Sequence, residues 1–340
     1  YYKTDSRNQI LKLATTAASG YTSQVRNAGH IRNRGYEIQL GAVPIQTSKG
    51  FRWNLDLNYG ANSSKAVKLD DEGLITSYQL YSSGIQILAS VGEAYGTLFG
   101  TSYVRDANGN VVVDANGLPK ISTTNKTLGK FTPDWTGGIS NTFSYRSLSL
   151  SFLIDASVGG SIFSNTNKTG KYTGVLANTL SGRDAEHGGL WYYTDAMGNN
   201  VRLPESPSYS VSSDGLYYAQ VNGQSTRVYQ DGIMVEGVTE SGSKNEEVVS
   251  AEKYYHRIYS IAEANVYDAS YVKLREVALS YRLPRLWTQK LHLQEASVTL
   301  TGRNLWTIYK SVPNIDPESA LTTGNAQGVE AYSLPTTRSF

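Results

Sequence analysis

The four histidines, His30, His187, His256 and His292, are the first residues to test for chemistry. Imidazole is both the commonest general base near neutral pH and the commonest metal ligand. No two of them stand four residues apart, as a ligand pair on one helix face would, and none has a near carboxylate at a recurring metal spacing. The chain has no cysteine, which removes thiolate metal sites, Cys nucleophiles and any disulfide framework. Asp106-x-Asn108-x-Asn110 opens like a calcium loop. Its sixth position is Val111 where the loop needs Gly, and its twelfth is Gly117 where it needs a bidentate Glu. The stretch therefore reads as a hairpin turn. Ser, His and Asp occur without a G-x-S-x-G elbow to single out a nucleophile. Glu236, Glu246, Glu247 and Glu252 could in principle supply a glycosidase pair, but all four fall in segments that read as solvated acidic loops. No catalytic set, metal site or cofactor motif emerges, so the chain reads as a non-enzyme. The best candidate for ligand contact is the run from Arg183 and Asp184 to Trp191, Tyr192 and Tyr193, where aromatic faces could stack on sugar rings or peptide side chains. The competing reading is a packed loop whose aromatics fix its own fold.

The elements that would position these residues follow from composition and periodicity. A net charge of +2 over 340 residues, with Lys and Arg scattered, argues against a nucleic-acid partner. The chain holds 25 Tyr and 32 Gly beside 2 Met and 7 Phe. Tyr is enriched where protein crosses a lipid–water boundary, and also in soluble polysaccharide-binding β domains. No apolar run approaches the ~20 residues of a spanning helix, whereas a spanning strand needs only about 9–11 residues, half of them polar. The dominant pattern has a period of two. In Phe51 to Tyr59 every odd position is apolar and every even one polar. Leu148, Leu150, Phe152, Ile154, Ala156 and Val158 alternate with Ser149, Ser151, Asp155 and Ser157, interrupted by Leu153. Trp135, Ile139, Phe143 and Tyr145, and likewise Tyr36, Ile38, Leu40 and Ala42, continue it. Each run is a strand with one apolar and one polar face.

Such strands build either a sandwich, whose apolar faces meet, or a membrane barrel, whose apolar face meets lipid. Runs of ten or more residues favour the barrel over a typical globular strand of about 5–6. Asn108-Gly109 and Asn116-Gly117 supply the positive φ of tight turns. From about 159 to 251 the alternation lapses into Gly, Ser, Asn, Asp and Tyr, which reads as long outward-projecting loops with a few short strands. Alternation resumes near Lys253 and again from Ala296 to Trp306; no amphipathic helix or internal repeat is read. The opening Tyr1-Tyr2-Lys3, without a signal pattern, reads as the interior of a longer precursor.

Several stretches resemble one family in order. Asn27-Ala28-Gly29-His30-Ile31-Arg32-Asn33-Arg34-Gly35-Tyr36-Glu37 looks like the "NAG-x-I-x-N-x-G-x-E" strand of SusC/RagA-type TonB-linked outer-membrane transporters. Phe51-Arg52-Trp53 through Asn58, then Ser64 to Val67, resembles the family's "F-x-W … N … N-x-V" pair. Gly92-Glu93-Ala94-Tyr95-Gly96 resembles "G-x-P-x-x-x-(Y/F)-G" without its Pro, and Leu128 to Trp135 matches "LG-x-x-x-PD", followed by Val158-Gly159-Gly160. Asp268 to Pro284 is close to "DASF-x-(K/R)-L-(R/K)-x-x-x-L-x-Y-x-LP". Gly302 to Thr307 resembles "G-x-NL-x-T", and Ile315 to Glu318 "x-DPE". The set covers about residues 20–340. The family normally closes on one further strand ending in an aromatic residue, where this chain ends Arg338-Ser339-Phe340.

The resemblance implies an all-β fold, the C-terminal portion of a 22-stranded antiparallel transmembrane barrel with long extracellular loops, of which this chain would supply about the last ten strands. It implies the outer membrane of a Gram-negative bacterium and import of oligosaccharide or peptide fragments. The implied partners are a SusD-like surface lipoprotein as lid, the TonB complex acting through an N-terminal plug outside this chain, and lipid. Two other functions fit the residues: a soluble carbohydrate-binding or glycan-cleaving β domain, and a passive porin.

Overall fold

The computed structural model describes residues 1–340 except 9, 15–19, 22, 28, 71, 72, 74, 291, 322 and 325. Ala28 of the first family-like motif thus lies outside the described residues. The chain divides into two compact units. The first comprises Tyr1–Leu98, Gly129–Phe163 and Tyr267–Phe340; the second comprises Phe99–Leu128 and Ser164–Val266.

The first unit is built on a seven-stranded antiparallel sheet in the order Tyr2–Arg7, His30–Gln46, Phe51–Lys68, Trp135–Tyr145, Leu148–Val158, Tyr271–Arg282 and Ser297–Lys310. Six of these run 11 to 18 residues, long enough to cross a bilayer, which takes about 9–11. The pair Ile10–Ala14 and Ser23–Asn27 prolongs the first hairpin in the same register. The expected count of about ten wall strands is corrected to seven in this sheet. The remaining strands of this unit are short: Ser77–Ser82 and Gln86–Ser90, for example, pair with each other outside the wall.

Register turns the alternation of single strands into continuous rows. Leu40, Leu57, Ile139, Ile154, Leu274 and Trp306 lie opposite one another across six strands. Four residues along the regular strands, and five or six along the bulged ones, Ile45, Trp53, Phe143, Leu150, Leu279 and Leu300 make a second apolar row. The intervening positions make polar rows, such as Gln39, Asn58, Gly138, Asp155, Lys273 and Thr307. The apolar face is the uncovered one: Leu40 is 59% exposed, Trp306 58% and Leu300 66%. The polar face carries the covered charge, with Lys273 only 2% exposed. A sandwich would bury the Leu side; this sheet is inverted.

Aromatic side chains end the apolar rows at both edges of the band. Phe51, Tyr145 and Tyr281 mark one end, and Tyr59 lies tilted against Trp135 (5.7 Å between centroids) at the other. Tyr145 and Trp135 close the two ends of one strand, ten residues apart. At ~3.3 Å per residue that is roughly 33 Å along the strand, or about 25 Å along the normal at a tilt near 40°. This is the height of the apolar band of an outer-membrane barrel.

The second unit is folded, not a set of bare loops. Asn200–Arg202, Leu190–Thr194, Gln224–Met234, Tyr217–Val221 and Tyr209–Val211 form a sheet in that order, with Val248–Ser250 added to Gln224–Met234. Its hairpins reuse one local device. The Oδ1 of Asp106, Asp114 and Asp195 each accepts hydrogen bonds from the amides two and four residues on, at 2.8–3.1 Å. Gly109, Gly117 and Gly198 supply the left-handed residue (φ 88°, 76° and 88°) that closes each turn. Asp106 is thereby used as a turn residue, as its failed calcium pattern suggests.

The reading of no helix, with alternation resuming near Lys253, is corrected. Helices occupy Asn165–Thr173, Ala251–Tyr259 and Arg285–Lys290. The first two are nine residues long and are started by a serine hydroxyl. Ser164 Oγ accepts from the Asn167 amide at 3.0 Å and Ser250 Oγ from that of Lys253 at 3.3 Å. Nine residues hold too few turns for the helical period to show above the tyrosine-rich background.

Candidate functional site

At one end of the first unit's sheet the family-like motifs meet, and sterics explain their glycines. Gly96 has φ +86°, and a Cβ there would lie 2.0 Å from the Phe131 ring. The Phe131 amide donates to the Gly96 carbonyl at 3.1 Å. Gly159 and Gly160, both in the left-handed region, wrap the same turn: a Cβ on Gly159 would meet the Asp134 carboxylate at 2.3 Å. The Gly159 amide donates to Ser270 Oγ (2.8 Å), and the Ala269 amide to the Gly160 carbonyl (3.2 Å). Stretches far apart in sequence are thus parts of one junction.

On the sheet's polar face the two C-terminal motifs also converge. The Lys273 ammonium donates to Asp316 Oδ1 (2.6 Å) and Glu318 Oε2 (2.5 Å). Arg275 pairs with Glu318 and with Asp155, whose Oδ1 lies 2.8 Å from Arg275 Nε, and the Tyr271 hydroxyl donates to Glu318 at 2.9 Å. Arg275 is the extra residue of a bulge, sitting between the pairs Leu153–Glu276 and Ile154–Leu274, which brings its side chain beside that of Lys273. Burial disfavours the Asp316 charge, but hydrogen bonds from Lys273 and Thr336 outweigh it and hold the carboxyl down to about 2. Five ionic groups thus fasten the segment after the last wall strand onto the polar face. The sequence marks Lys273, Arg275, Asp316 and Glu318 only as motif letters; their pairing is tertiary.

The predicted contact residues fall in the second unit and are not gathered on one open surface. Trp191 is 7% and Tyr192 4% exposed. Trp191 stacks on Tyr209 (5.1 Å) and meets Tyr217 edge-on (5.7 Å), within a cluster that includes Ala219, Val228 and Tyr193. Tyr192 points to the opposite face, stacked on Tyr229 (5.0 Å), with its hydroxyl donating to Asp231 at 3.2 Å. These two rings are core, so the packing reading describes their surroundings. Asp184 accepts from the His187 amide (2.8 Å) and lies 2.7 Å from its Nδ1, and these hydrogen bonds hold its carboxyl below the usual range. Arg183 lines a cavity. Its Nε donates to the Thr179 carbonyl (2.6 Å), and its guanidinium lies 5.7 Å from the Tyr255 ring. Trp191→Leu removes two ring contacts worth ~0.5–1.5 kcal/mol each. It is expected to destabilise this unit by about 1–3 kcal/mol, read as faster proteolysis of the unit in the full-length protein at unchanged ligand affinity. Weakened affinity with unchanged proteolysis would return Trp191 to the contact site.

Two cavities of this unit are both lined by Tyr255. One, about 710 Å³, is lined by Leu190, Ile233, Tyr254, Ile258, Glu236 and Lys171. Burial lowers the Lys171 ammonium to about 8. The other, about 320 Å³, is lined by Tyr172, Thr173, Arg183, Asp231, Glu252, Tyr255 and His256. Sequence reading missed the second because Glu252 and His256 become close neighbours only on a helix. Their spacing of four was the available signal.

No family model matches the chain. Over its full length it is 26% identical to TonB-dependent receptor P3 and 24% identical to TonB-dependent receptor P26, both of Formosa agariphila, and it spans 31% of each of these curated relatives. Over 43% of the chain it is 26% identical to TonB-dependent receptor P39 of the same organism. Its fold is similar to that of a chain in the RagAB peptide importer: TM-score 0.56 in the closed-closed state and 0.58 in the open-open state, at 18% and 16% identity. Each alignment covers 99% of this chain and about a third of the other, 32% and 31%. The likeness to SusC/RagA-type TonB-dependent receptors read from the motifs therefore stands, as does the antiparallel β fold of such a barrel.

Proposed function

We propose that this chain is wall and substrate-side surface of an outer-membrane TonB-dependent importer that takes up oligosaccharide or peptide fragments, with a SusD-like surface lipoprotein closing over it. The inverted sheet carries the reading: strands of spanning length bear an uncovered apolar face bounded by aromatic rows, and a polar face that buries charge. That distribution suits lipid on one side and a hydrated lumen on the other. The similarity to TonB-dependent receptors supports energised uptake over a passive pore. The second unit, with its turns and cavities, is the part proposed to meet substrate. The chain's share of the work is containment and recognition; no bond is made or broken.

The test is a pair of neighbours in one strand. Leu150→Arg puts a charge on the apolar face between its aromatic edge and the midplane, and is expected to cost about 1–3 kcal/mol. Ser151→Arg, on the polar face, is expected to cost much less. Both are read as assembled receptor in outer-membrane fractions and as substrate-dependent growth. Equal tolerance of the two, or recovery of the full-length protein in the soluble fraction, would overturn the proposal in favour of a soluble β domain.

A further inference from the structure

We propose that the cavity between Tyr172, Arg183, Asp231, Glu252 and His256 is a binding subsite for one uncharged sugar unit of an incoming glycan. This rests on the import reading and narrows its substrate class. The cavity's ~320 Å³ lies at the lower end of the 300–1,000 Å³ typical of ligand sites and could hold about ten waters. Four separate elements supply its walls. Tyr172 comes from the end of the helix Asn165–Thr173, and Glu252 and His256 from one face of the helix Ala251–Tyr259. Asp231 comes from the strand Gln224–Met234, and Arg183 from the loop before Leu190.

The polar groups are set toward the cavity with capacity to spare. Arg183 is fixed through its Nε to the Thr179 carbonyl, and its terminal nitrogens have no hydrogen-bond acceptor among the described residues. Neither the Glu252 carboxylate nor the His256 ring has a hydrogen-bond partner among the described residues. Asp231 receives the Tyr192 hydroxyl on one oxygen (3.2 Å). Tyr172 stacks on His256 at 4.1 Å and lies tilted against Tyr259 at 4.9 Å, and at 44% exposure part of its ring stays uncovered at the cavity.

The ligand class follows from this mixture. A guanidinium that donates stands near carboxylates that accept, and Arg183 lies close enough to Asp231 for their charges to act on one another. Adjacent ring hydroxyls donate and accept at once and can use both without bringing a charge. An anionic ligand would face Asp231 and Glu252, and a cationic one Arg183, each at a like-charge cost. The ring's C–H face can lie on Tyr172, as apolar faces do on aromatic ones.

The experiment uses the full-length receptor in detergent, titrated by calorimetry with neutral tetrasaccharides of glucose, galactose, mannose and xylose, with tetragalacturonate, and with tetra-alanine. At least one neutral tetrasaccharide is expected to bind more tightly than the charged sugar and the peptide. Glu252→Gln and Tyr172→Ala are each expected to weaken it about ten-fold or more, the loss of one charge-assisted hydrogen bond or one stacking face. Both positions are exposed, so protease resistance of the unit should stay as in the parent. Arg183→Gln is a weaker arm, because Arg183 packs against Gly174 and its replacement can disturb the fold. No binding by any neutral tetrasaccharide, preference for the uronate or the peptide, or unchanged affinity in both exposed variants would each overturn the subsite. Uptake assays separate this from the import reading: a receptor that still imports while these variants bind normally loses the subsite alone, whereas one that neither imports nor fractionates with the outer membrane loses both.

Discussion

Lys273→Met is expected to cost the folded protein about 3–5 kcal/mol, the penalty for removing one partner of a buried ion pair. The lysine is 2% exposed and its ammonium sits between Asp316 (2.6 Å) and Glu318 (2.5 Å). Removing it leaves Glu318 sharing the Arg275 guanidinium with Asp155, and leaves Asp316 with the hydrogen bonds from Thr336 and the Glu318 amide but without its cation. Adding Asp316→Asn should recover part of the loss, because one of the orphaned charges then disappears. Denaturant unfolding of the full-length receptor in detergent measures both variants, and limited proteolysis after Lys310 reports whether the fastened segment is released. A cost below about 1 kcal/mol for Lys273→Met would mean that water reaches the cluster and that packing alone holds the segment.

The same cluster sets an acid limit. Asp316 is depressed from 3.8 to about 2 in the folded protein. A depressed acid stabilises the fold fully above its unfolded value and loses that contribution as pH falls through the folded one. Stability from this group should therefore be constant from pH 5 to 8 and decline between about pH 4 and pH 2. In Lys273→Met the step should shrink, because the hydrogen bond from Lys273 is the strongest of those holding Asp316 down. An identical acid step in parent and variant would assign it to other carboxylates.

The wall was legible because a strand's period is two and lipid accepts only one kind of face. Phe51 to Tyr59 and Leu148 to Val158 announce their faces residue by residue, and the register then needs only to place Leu57 beside Ile139 beside Ile154. Turns were legible for a similar reason, since the geometry of Asp106 to Gly109 is local. What sequence could not carry was pairing across distance. Lys273 looks like any polar-face residue until Asp316 and Glu318 return to meet it. Trp191 and Tyr192 look like a stacking platform in a tyrosine-rich stretch, yet neighbouring strand positions point to opposite faces. Each ring is taken up by its own partner, Tyr209 or Tyr229. Glu252 and His256 were hidden because Glu252 read as the end of an acidic loop and His256 as part of the alternation resuming near Lys253, so no single helix set them side by side.

Residues 1–340 produced on their own are expected to give no closed, heat-modifiable barrel. Among the described residues of the wall sheet, Tyr2–Arg7 is paired on one side only, and the outer edge of Ser297–Lys310 is met by a backbone bridge only where Arg303 faces Ser339. An apolar face this extensive needs lipid or detergent, yet in lipid every unpaired N–H and C=O of an edge strand costs several kcal/mol. The two demands conflict in an open sheet and are reconciled only when further strands close the ring. The chain spans 31% of each of two similar receptors, whose further length could supply such strands in those proteins. Refolding of the isolated segment into detergent should therefore yield aggregates or protease-sensitive oligomers joined through their edges. The full-length receptor should shift on gels between heated and unheated samples. A protease-resistant, heat-modifiable monomer formed by residues 1–340 would show that the sheet can close on itself, and the wall would have to be redrawn as a small complete barrel.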